Sequence, residues 1–492
     1  MKTKVLHKDK LVNLIEPHFH NDLKSDRYSI KTIKASSLLT NTRLDLAFKL
    51  LYLDMKEKDV GFAKEVYKDH IRAFSLGDFV EPGNEGKNSI DRFLEDFHMT
   101  FDNIKENGFD STKTLIPLSQ NNSIVNGSHR VASAIFLDRN VDCVQLEVDD
   151  QIYNYEYFYS RKVSSEMLDS AVTKFVEYAE NVHIAFIWPT AQGYDGDIEK
   201  IIPNIVYRKA VKLDANGAHN LLSQIYYGEE WLGDIENNFK GSQGKLVECF
   251  KTFDSVRVIA FQANSLDEVL KVKDRVRELF NVGKHSIHIT DTKEEAVRVA
   301  RMIFNDNGVH FLNYAKPNKY LSTHIKVKQY KTFIEKNGLE TDDLVLDSGL
   351  VLSLYGLRES NDIDYLIDDN SKVKIDDEEL ENHDEELKYH DENKLELIYN
   401  PKYYFYFNGL KIVSFTQLYK MKRNRGGEKD INDYKMMDAL IENDTLRQLI
   451  SKLKQHYYYG KIKLLHKCLE FLKSINLYFV ARKIYRLAKR KK

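Results

Sequence analysis

The spacing of apolar residues changes along the chain, and the changes predict parts of different construction. Leucines recur in a broad stripe at 44–53, which favours mostly helical structure up to about residue 70. From about 152 to 320, short apolar runs such as those at 182–187 and 309–312 alternate with amphipathic stretches. Strands alternating with helices in this way are typical of a parallel sheet with helices on its faces.

Two further regions show mixed patterns. In the first region, up to about residue 150, we predict a helix over 89–107, a strand-turn-strand at 114–125, a helix over 130–137 and a strand over 143–148. In the second region we predict a helix near 325, an aromatic hairpin at about 395–413 and helices from there to the end. Both regions contain strands as well as helices.

The expected fold class is therefore α/β and α+β multidomain. A length of 492 residues agrees with about three domains. The predicted boundaries are a helical N-terminal region at 1–70, an α+β domain at 70–150, a central layered α/β domain at 152–320, an α+β domain at 325–445 and a basic helical tail at 446–492.

Composition indicates a globular protein, with 42% hydrophobic, 12% aromatic and 30% charged residues. The net charge of −2 argues against a protein that coats nucleic acid, because neutralising phosphates requires an excess of basic residues. Locally, 361–396 holds 15 acidic residues against 4 lysines, whereas 451–492 holds 13 basic residues against one acid. We expect no stable nucleic-acid partner, and we expect the run at 376–386 to be a solvated insertion.

The cysteines and the termini bear on location. Cys143, Cys249 and Cys468 are odd in number and lack metal-binding spacing, which favours a reduced, cytoplasmic setting. Neither a signal peptide nor a long apolar span is recognisable in the sequence. Apolar residues between the basic residues of the tail allow either packing on the protein or peripheral contact with anionic lipid at the inner membrane face.

The densest concentration of chemically useful residues lies at 346–366. Asp362 and Asp364 are two positions apart in a predicted strand, so their carboxylates project from the same face and can hold divalent cations. The small residues Ser348 and Gly349 allow backbone N–H groups to approach a phosphate. Arg358 is placed to neutralise charge that develops there.

This arrangement resembles the DNA polymerase beta superfamily of nucleotidyltransferases, and the run at 356–364 is similar to its LicD/fukutin branch. The resemblance implies a transferase that uses Mg²⁺ or Mn²⁺ and takes a nucleoside triphosphate or a CDP-alcohol as donor. It also implies a third carboxylate, for which Glu396 is the first choice and Asp391 the second. The turn reads Ser-Gly where the superfamily has Gly-Ser.

Downstream, a basic stretch followed by Lys-Asp-x-x-Asp at 429–433 resembles the helix after the catalytic sheet in the same superfamily. The resemblance implies that Lys422 or Lys429 binds phosphate.

A second motif occupies 124–132. Gly127 and Ser128 follow a short strand, and His129 and Arg130 open a helix, whose free N–H groups and positive dipole suit a phosphate. The motif resembles the ParB/sulfiredoxin-like superfamily, which implies binding of a nucleoside triphosphate and a possible kinase activity. Gly127 serving only as a turn, and His129 only as a cap, is the structural alternative.

Together these patterns favour a metal-dependent nucleotidyl- or phospho-alcohol transferase that acts on a sugar or phosphosugar in surface-glycan biosynthesis, with an N-terminal nucleotide-binding domain. Two alternatives stay open. One is a nucleic-acid-associated regulator with ParB-like DNA contact and a toxin-type nucleotidyltransferase. The other is a non-catalytic scaffold that binds nucleotide.

Overall fold

The computed structural model describes residues 4–58, 60–81, 86–371 and 380–441, and separate positions between 464 and 483. The protein is a mixed α/β structure with three sheets, each packed against helices. Within these residues, no helix has both the length and the apolar character needed to cross a bilayer. Most of the predicted basic tail lies outside the described residues.

The N-terminal part contains a four-stranded sheet in the order β1-β2-β4-β3. Its elements are β1 (Lys4–His7), α1 (Lys8–Leu11), β2 (Arg27–Lys34), α2 (Asp45–Met55), α3 (Gly61–Ser75), α4 (Ile90–Asn107), β3 (Ile116–Leu118), α5 (Ser128–Phe136), β4 (Asn140–Gln145) and α6 (Tyr155–Ser160). Strand β2 pairs with β4, so the prediction of a mostly helical segment before residue 70 is wrong for the first 34 residues. Polar and apolar residues alternate over 27–31, and the polar ones are exposed, so the strand pattern was present in the sequence but short.

The middle part is built on a second four-stranded sheet, ordered β6-β7-β5-β8. Its elements are α7 (Ser165–Tyr178), β5 (Val182–Ile187), α8 (Asp195–Ile201), β6 (Ile205–Val211), α9 (Ala215–Ile225), α10 (Ser242–Cys249), β7 (Val256–Gln262), α11 (Leu266–Phe280), β8 (Ile287–Ile289), α12 (Lys293–Ile303) and α13 (Asp306–Tyr314).

All three strand pairs of this sheet are antiparallel, so the prediction of a parallel sheet is wrong. Strands β5 and β6 do run in the same direction, as a helical crossover requires, but β7 lies between them and runs the opposite way. The strand predicted at 309–312 belongs to helix α13, which is capped by the Asn305 side chain.

The C-terminal part holds a five-stranded mixed sheet in the order β11-β10-β9-β13-β12. Its elements are α14 (Leu321–Lys336), β9 (Leu344–Asp347), α15 (Ser348–Leu354), β10 (Ile363–Ile367), β11 (Leu380–Asn382), α16 (Lys394–Tyr399), β12 (Tyr404–Phe407), β13 (Leu410–Val413), α17 (Phe415–Arg425) and α18 (Glu428–Ile441). One hydrophobic core runs from this part through the other two.

Candidate functional site

The two carboxylates of the C-terminal motif converge on the start of helix α15. Strand β10 pairs antiparallel with β9; Asp364 is its second residue and Asp362 directly precedes it. The backbone N–H of Gly349 donates to Asp364 Oδ2 at 3.4 Å. A Cβ atom at Gly349 would lie 2.7 Å from Ser360 Oγ and 3.3 Å from Asp362 Oδ1. Glycine is therefore required here because the turn passes directly against the carboxylate pair.

Asp364 carries the electrostatic cost of this arrangement. Asp364 is only 5% exposed to solvent. Burial raises the pKa of the Asp364 carboxyl above its usual value, and the negative charge of Asp362 raises it further. A cation bound between the two carboxylates would relieve this repulsion.

The raised pKa of Asp364 makes the stability of the fold depend on pH. Because the folded pKa of Asp364 is raised, its penalty is absent below the unfolded pKa near 3.8 and is complete above the folded pKa. We expect Asp364→Asn, in the absence of divalent cations, to raise the melting temperature at neutral pH by a few degrees. The gain should shrink as the pH falls towards 4. Thermal unfolding monitored by circular dichroism between pH 4 and 8 would test this, and a gain independent of pH would contradict the assignment.

Behind the pair lies a buried cluster that the sequence did not indicate. Asp347 stands opposite Asp364 in the β9–β10 register. Its Oδ2 accepts hydrogen bonds from His383 Nδ1 at 3.0 Å and His390 Nε2 at 3.3 Å. Although burial acts to lower the pKa of His383, the bond to Asp347 raises it overall. His383 lies within the run at 376–386 that was predicted to be a solvated insertion, and His390 lies four positions after it. Positions 376–379 of that run lie outside the described residues. No sequence spacing marks either histidine as a neighbour of Asp347.

Arg358 has a different role from the one predicted. Its side chain is 4% exposed, and its guanidinium binds both oxygens of Asp433, through Nε at 2.7 Å and through a terminal nitrogen at 2.9 Å. The sequence places Arg358 next to the carboxylates, but the fold directs it into helix α18. The arginine therefore braces the helix rather than presenting a free charge to a ligand.

Lys422 is also part of this framework. Its ammonium is buried, lies 3.1 Å from Asp430 and 3.3 Å from Asp433, and donates to Ser348 Oγ at 3.4 Å. Ser348 has a φ of 55°, so the first residue of α15 takes a left-handed conformation. Lys422 thus ties α17 and α18 to the turn that carries Gly349.

Lys429 is the third basic residue near the carboxylate pair. It is partly buried and near Asp362, Arg358 and Lys422. Burial lowers the pKa of its ammonium, and the charge of Arg358 lowers it further. Among the described residues, no hydrogen bond or ion pair engages this ammonium. An anionic ligand at the carboxylate pair would supply one.

The third carboxylate is not where it was predicted. Glu396 lies on helix α16, not on a strand, and its Oε1 accepts from the N–H of Gly61 at 2.6 Å. Its other oxygen accepts from Asn400 at 2.8 Å. Asp391, the second choice, accepts from Asn424 at 3.0 Å. Glu396 instead joins the C-terminal part to the start of helix α3.

The fit of a metal ion rests on the pair alone. In the described ranges, no group of three or more His, Cys, Asp or Glu is arranged to hold one. Mg²⁺ prefers oxygen ligands and in phosphate sites commonly takes one or two carboxylates, completing its shell with water and phosphate oxygens. Asp362 and Asp364 supply two such carboxylates. Their mutual repulsion is a second reason to expect a cation, because a bound cation would remove it.

In the N-terminal motif, the structure forms the predicted turn and helix start. Gly127 has a φ of 88°, and a Cβ there would lie 2.8 Å from the Arg130 side chain. Ser128 begins helix α5. However, Arg130 forms an ion pair with Glu16 at 2.5 Å and also binds Thr114. Its charge is therefore already compensated within the protein.

His129 is also engaged internally. Its Nε2 is 2.8 Å from the hydroxyl of Tyr67, and its ring packs on Phe97. Burial lowers its pKa well below the usual value, and the nearby ammonium of Lys49 lowers it further. Burial and Lys49 both act against the charged form of His129, which argues against the prediction that this residue adds positive charge. Glycine, helix start and neutral histidine leave a hydrogen-bonding site rather than a strongly cationic one.

Comparison with known proteins adds no relative. No protein-family model, curated protein or solved structure matches the chain. The functional argument therefore rests on the geometry above.

Proposed function

We propose that the protein is a metal-dependent nucleotidyl- or phospho-alcohol transferase that acts on a sugar or phosphosugar. The observation that carries this proposal is the approach of Asp362 and Asp364 to the Gly349 N–H at the end of strand β9, with Lys429 close enough to feel the charge of Asp362. Two carboxylates and a free ammonium are complementary to a divalent cation carrying a phosphate group.

The residues divide the work by position. Asp362 and Asp364 hold Mg²⁺ or Mn²⁺, which supplies neutralisation of phosphate charge when bound. Lys429 binds a non-bridging phosphate oxygen of the donor. Lys422 and Arg358 keep helices α17 and α18 in register with the turn through Asp430 and Asp433.

The other parts fit around this centre. We propose that the Gly127 turn binds a nucleotide, with the sugar or phosphosugar as the second small-molecule partner. A cytoplasmic location, with tail contact to anionic lipid, belongs to the same proposal. Surface-glycan biosynthesis is the process in which such a transferase is expected to act.

The main rival is a nucleotide-binding scaffold without turnover. It is supported by Asp347, the carboxylate opposite Asp364. Asp347 is fully buried and bound by two histidines, so it is not presented as a third ligand for a catalytic cation. The nucleic-acid regulator has less support, since Arg130 is paired with Glu16 and His129 is neutral.

Product analysis tests the proposal. Purified protein with Mg²⁺ or Mn²⁺ is incubated with each nucleoside triphosphate or with CDP-alcohols, together with sugars, phosphosugars and glycan extracts, and products are identified by mass spectrometry. We expect a nucleotidylated or phospho-alcohol-modified sugar. Lys429→Ala should lower the rate about a hundredfold, and Lys435→Ala, which changes an exposed lysine on the same helix, should not. Binding of nucleotide without any product would favour the scaffold.

A further inference from the structure

A cavity lies where the N-terminal, middle and C-terminal parts of the chain meet. It has a volume of about 500 Å³, within the range of small-molecule sites. Its walls come from helix α2, from helices α7 and α12, and from the residues around the start of β9 and of β12. The carboxylate pair lies past the other end of β9, a four-residue strand about 13 Å long. The cavity is therefore separate from the proposed transferase site.

One wall is a continuous row of alternating charges, which we call the charge ladder. Its members, in order, are Asp54, Lys174, Glu177, Arg301, Asp342 and Lys411. Lys174 is 2.5 Å from Asp54 and 2.6 Å from Glu177. Arg301 is 2.6 Å from Glu177 and 2.9 Å from Asp342. The ladder crosses from the N-terminal part through the middle part to the C-terminal sheet.

Tyrosines stand beside these charges, and aliphatic and phenylalanine side chains line much of the remaining wall. The ammonium of Lys411 lies 5.0 Å from the ring centre of Tyr399 and 4.8 Å from that of Tyr404. Arg301 lies 4.8 Å from the ring centre of Tyr406, whose hydroxyl donates to Asp342 at 2.6 Å. Burial lowers the pKa of Lys411 to about 8. The cavity thus offers aromatic surfaces together with donors and acceptors in alternation.

The charges of the wall decide which ligand it suits. Four cationic side chains line the cavity, and four carboxylates oppose them, namely Lys58, Lys174, Arg301 and Lys411 against Asp54, Glu177, Asp342 and Asp343. A phosphate would meet as many like charges as opposite ones. An apolar ligand would remove water from the charges without replacing its hydrogen bonds. A sugar hydroxyl can donate to a carboxylate and accept from an adjacent ammonium at once.

We propose that this cavity binds a neutral saccharide of one or two rings. The hydroxyl groups span successive members of the charge ladder, and the apolar face of the sugar ring packs on a tyrosine. Because the walls belong to three parts of the chain, the bound sugar stabilises their packing against one another. This site does not depend on the transferase proposal, since no residue of the carboxylate pair lines it.

Calorimetric titration tests the proposal with the full chain. The probes are glucose, galactose, mannose, N-acetylglucosamine, maltose and lactose, with inorganic phosphate and glucose 1-phosphate for comparison. We expect at least one neutral sugar to bind with millimolar or better affinity and to raise the melting temperature, whereas phosphate does not. Binding should persist in the variant Asp362→Asn/Asp364→Asn.

Two matched variants locate the site. Thr173 lines the cavity and its hydroxyl bonds only to the backbone of Asp169 among the described residues, so Thr173→Leu fills space without breaking an ion pair. Ser165→Leu places the same side chain on the exposed end of helix α7. We expect the first to weaken sugar binding at least tenfold and the second to leave it unchanged. Failure of every neutral sugar to bind, tighter binding of phosphate, or equal binding by a folded Thr173→Leu variant would overturn the proposal. Loss of sugar binding in the double Asp variant would assign the sugar to the transferase site instead.

Discussion

Asp362→Asn and Asp364→Asn are each expected to lower the transfer rate by about a thousandfold or more. Each substitution removes one of the two carboxylates available to the cation, and with it the charge that positions the donor phosphate. The effect should appear in kcat, measured from product formation at saturating Mg²⁺ and donor.

Protein stability separates this loss from unfolding. Because repulsion between Asp362 and Asp364 is relieved in either variant, both should fold and melt no lower than the wild type without divalent cations. Mg²⁺ should stabilise the wild type more than either variant. Full activity in Asp364→Asn would refute the assignment of the pair, and so would equal stabilisation by Mg²⁺ in all three proteins.

Asp433→Ala is expected to have the largest effect on stability, about 3–5 kcal/mol. Asp433 is fully buried, so its loss removes the carboxylate that binds both Nε and a terminal nitrogen of Arg358 and one of the two carboxylates that pair with Lys422. Denaturant unfolding followed by circular dichroism would measure this change in the free energy of unfolding. Limited proteolysis would show whether the C-terminal part is the region that opens. Lys435→Ala, on the exposed side of the same helix, is the matched control.

An apolar replacement distinguishes the physical cause. If the loss in Asp433→Ala comes from unpaired buried charge, combining Asp433→Leu with Arg358→Leu and Lys422→Met should recover most of the stability. If it comes from lost packing or helix propensity, the triple variant should be less stable than the single one. Asp433→Ala unfolding at the same denaturant concentration as Lys435→Ala would contradict the buried-network interpretation.

The strand that carries Asp364 and the turn at Gly349 could be predicted because both depend on local spacing. Residues two apart in a strand share a face whatever surrounds the strand, and a Ser-Gly turn before a helix is also a local feature. The same holds for the glycine turn and helix start at 127–128. These features bring Asp362, Asp364 and Gly349 together as the sequence indicated.

The errors arose where a residue's partner is distant in sequence. Arg358 and Asp433 are 75 positions apart, and Glu396 contacts Gly61 across 335 positions. The histidines around Asp347 were hidden in an acidic run whose composition indicated only solvation. In the middle part, the order of strands and helices was readable, but the insertion of β7 between β5 and β6 was not.

The sequence by itself determined the mixed α/β class, the strand that carries Asp362 and Asp364 and the turn beside it. The tertiary structure decided which charged groups are neutralised within the protein and which remain for a ligand. The physical reason is that side-chain period and turn chemistry act over a few residues, whereas the energy of a charge depends on burial and on partners brought together by the whole fold. Lys422 and Lys429 illustrate this, since they are seven positions apart: Lys422 is buried and paired with Asp430 and Asp433, whereas no ion pair to Lys429 occurs among the described residues.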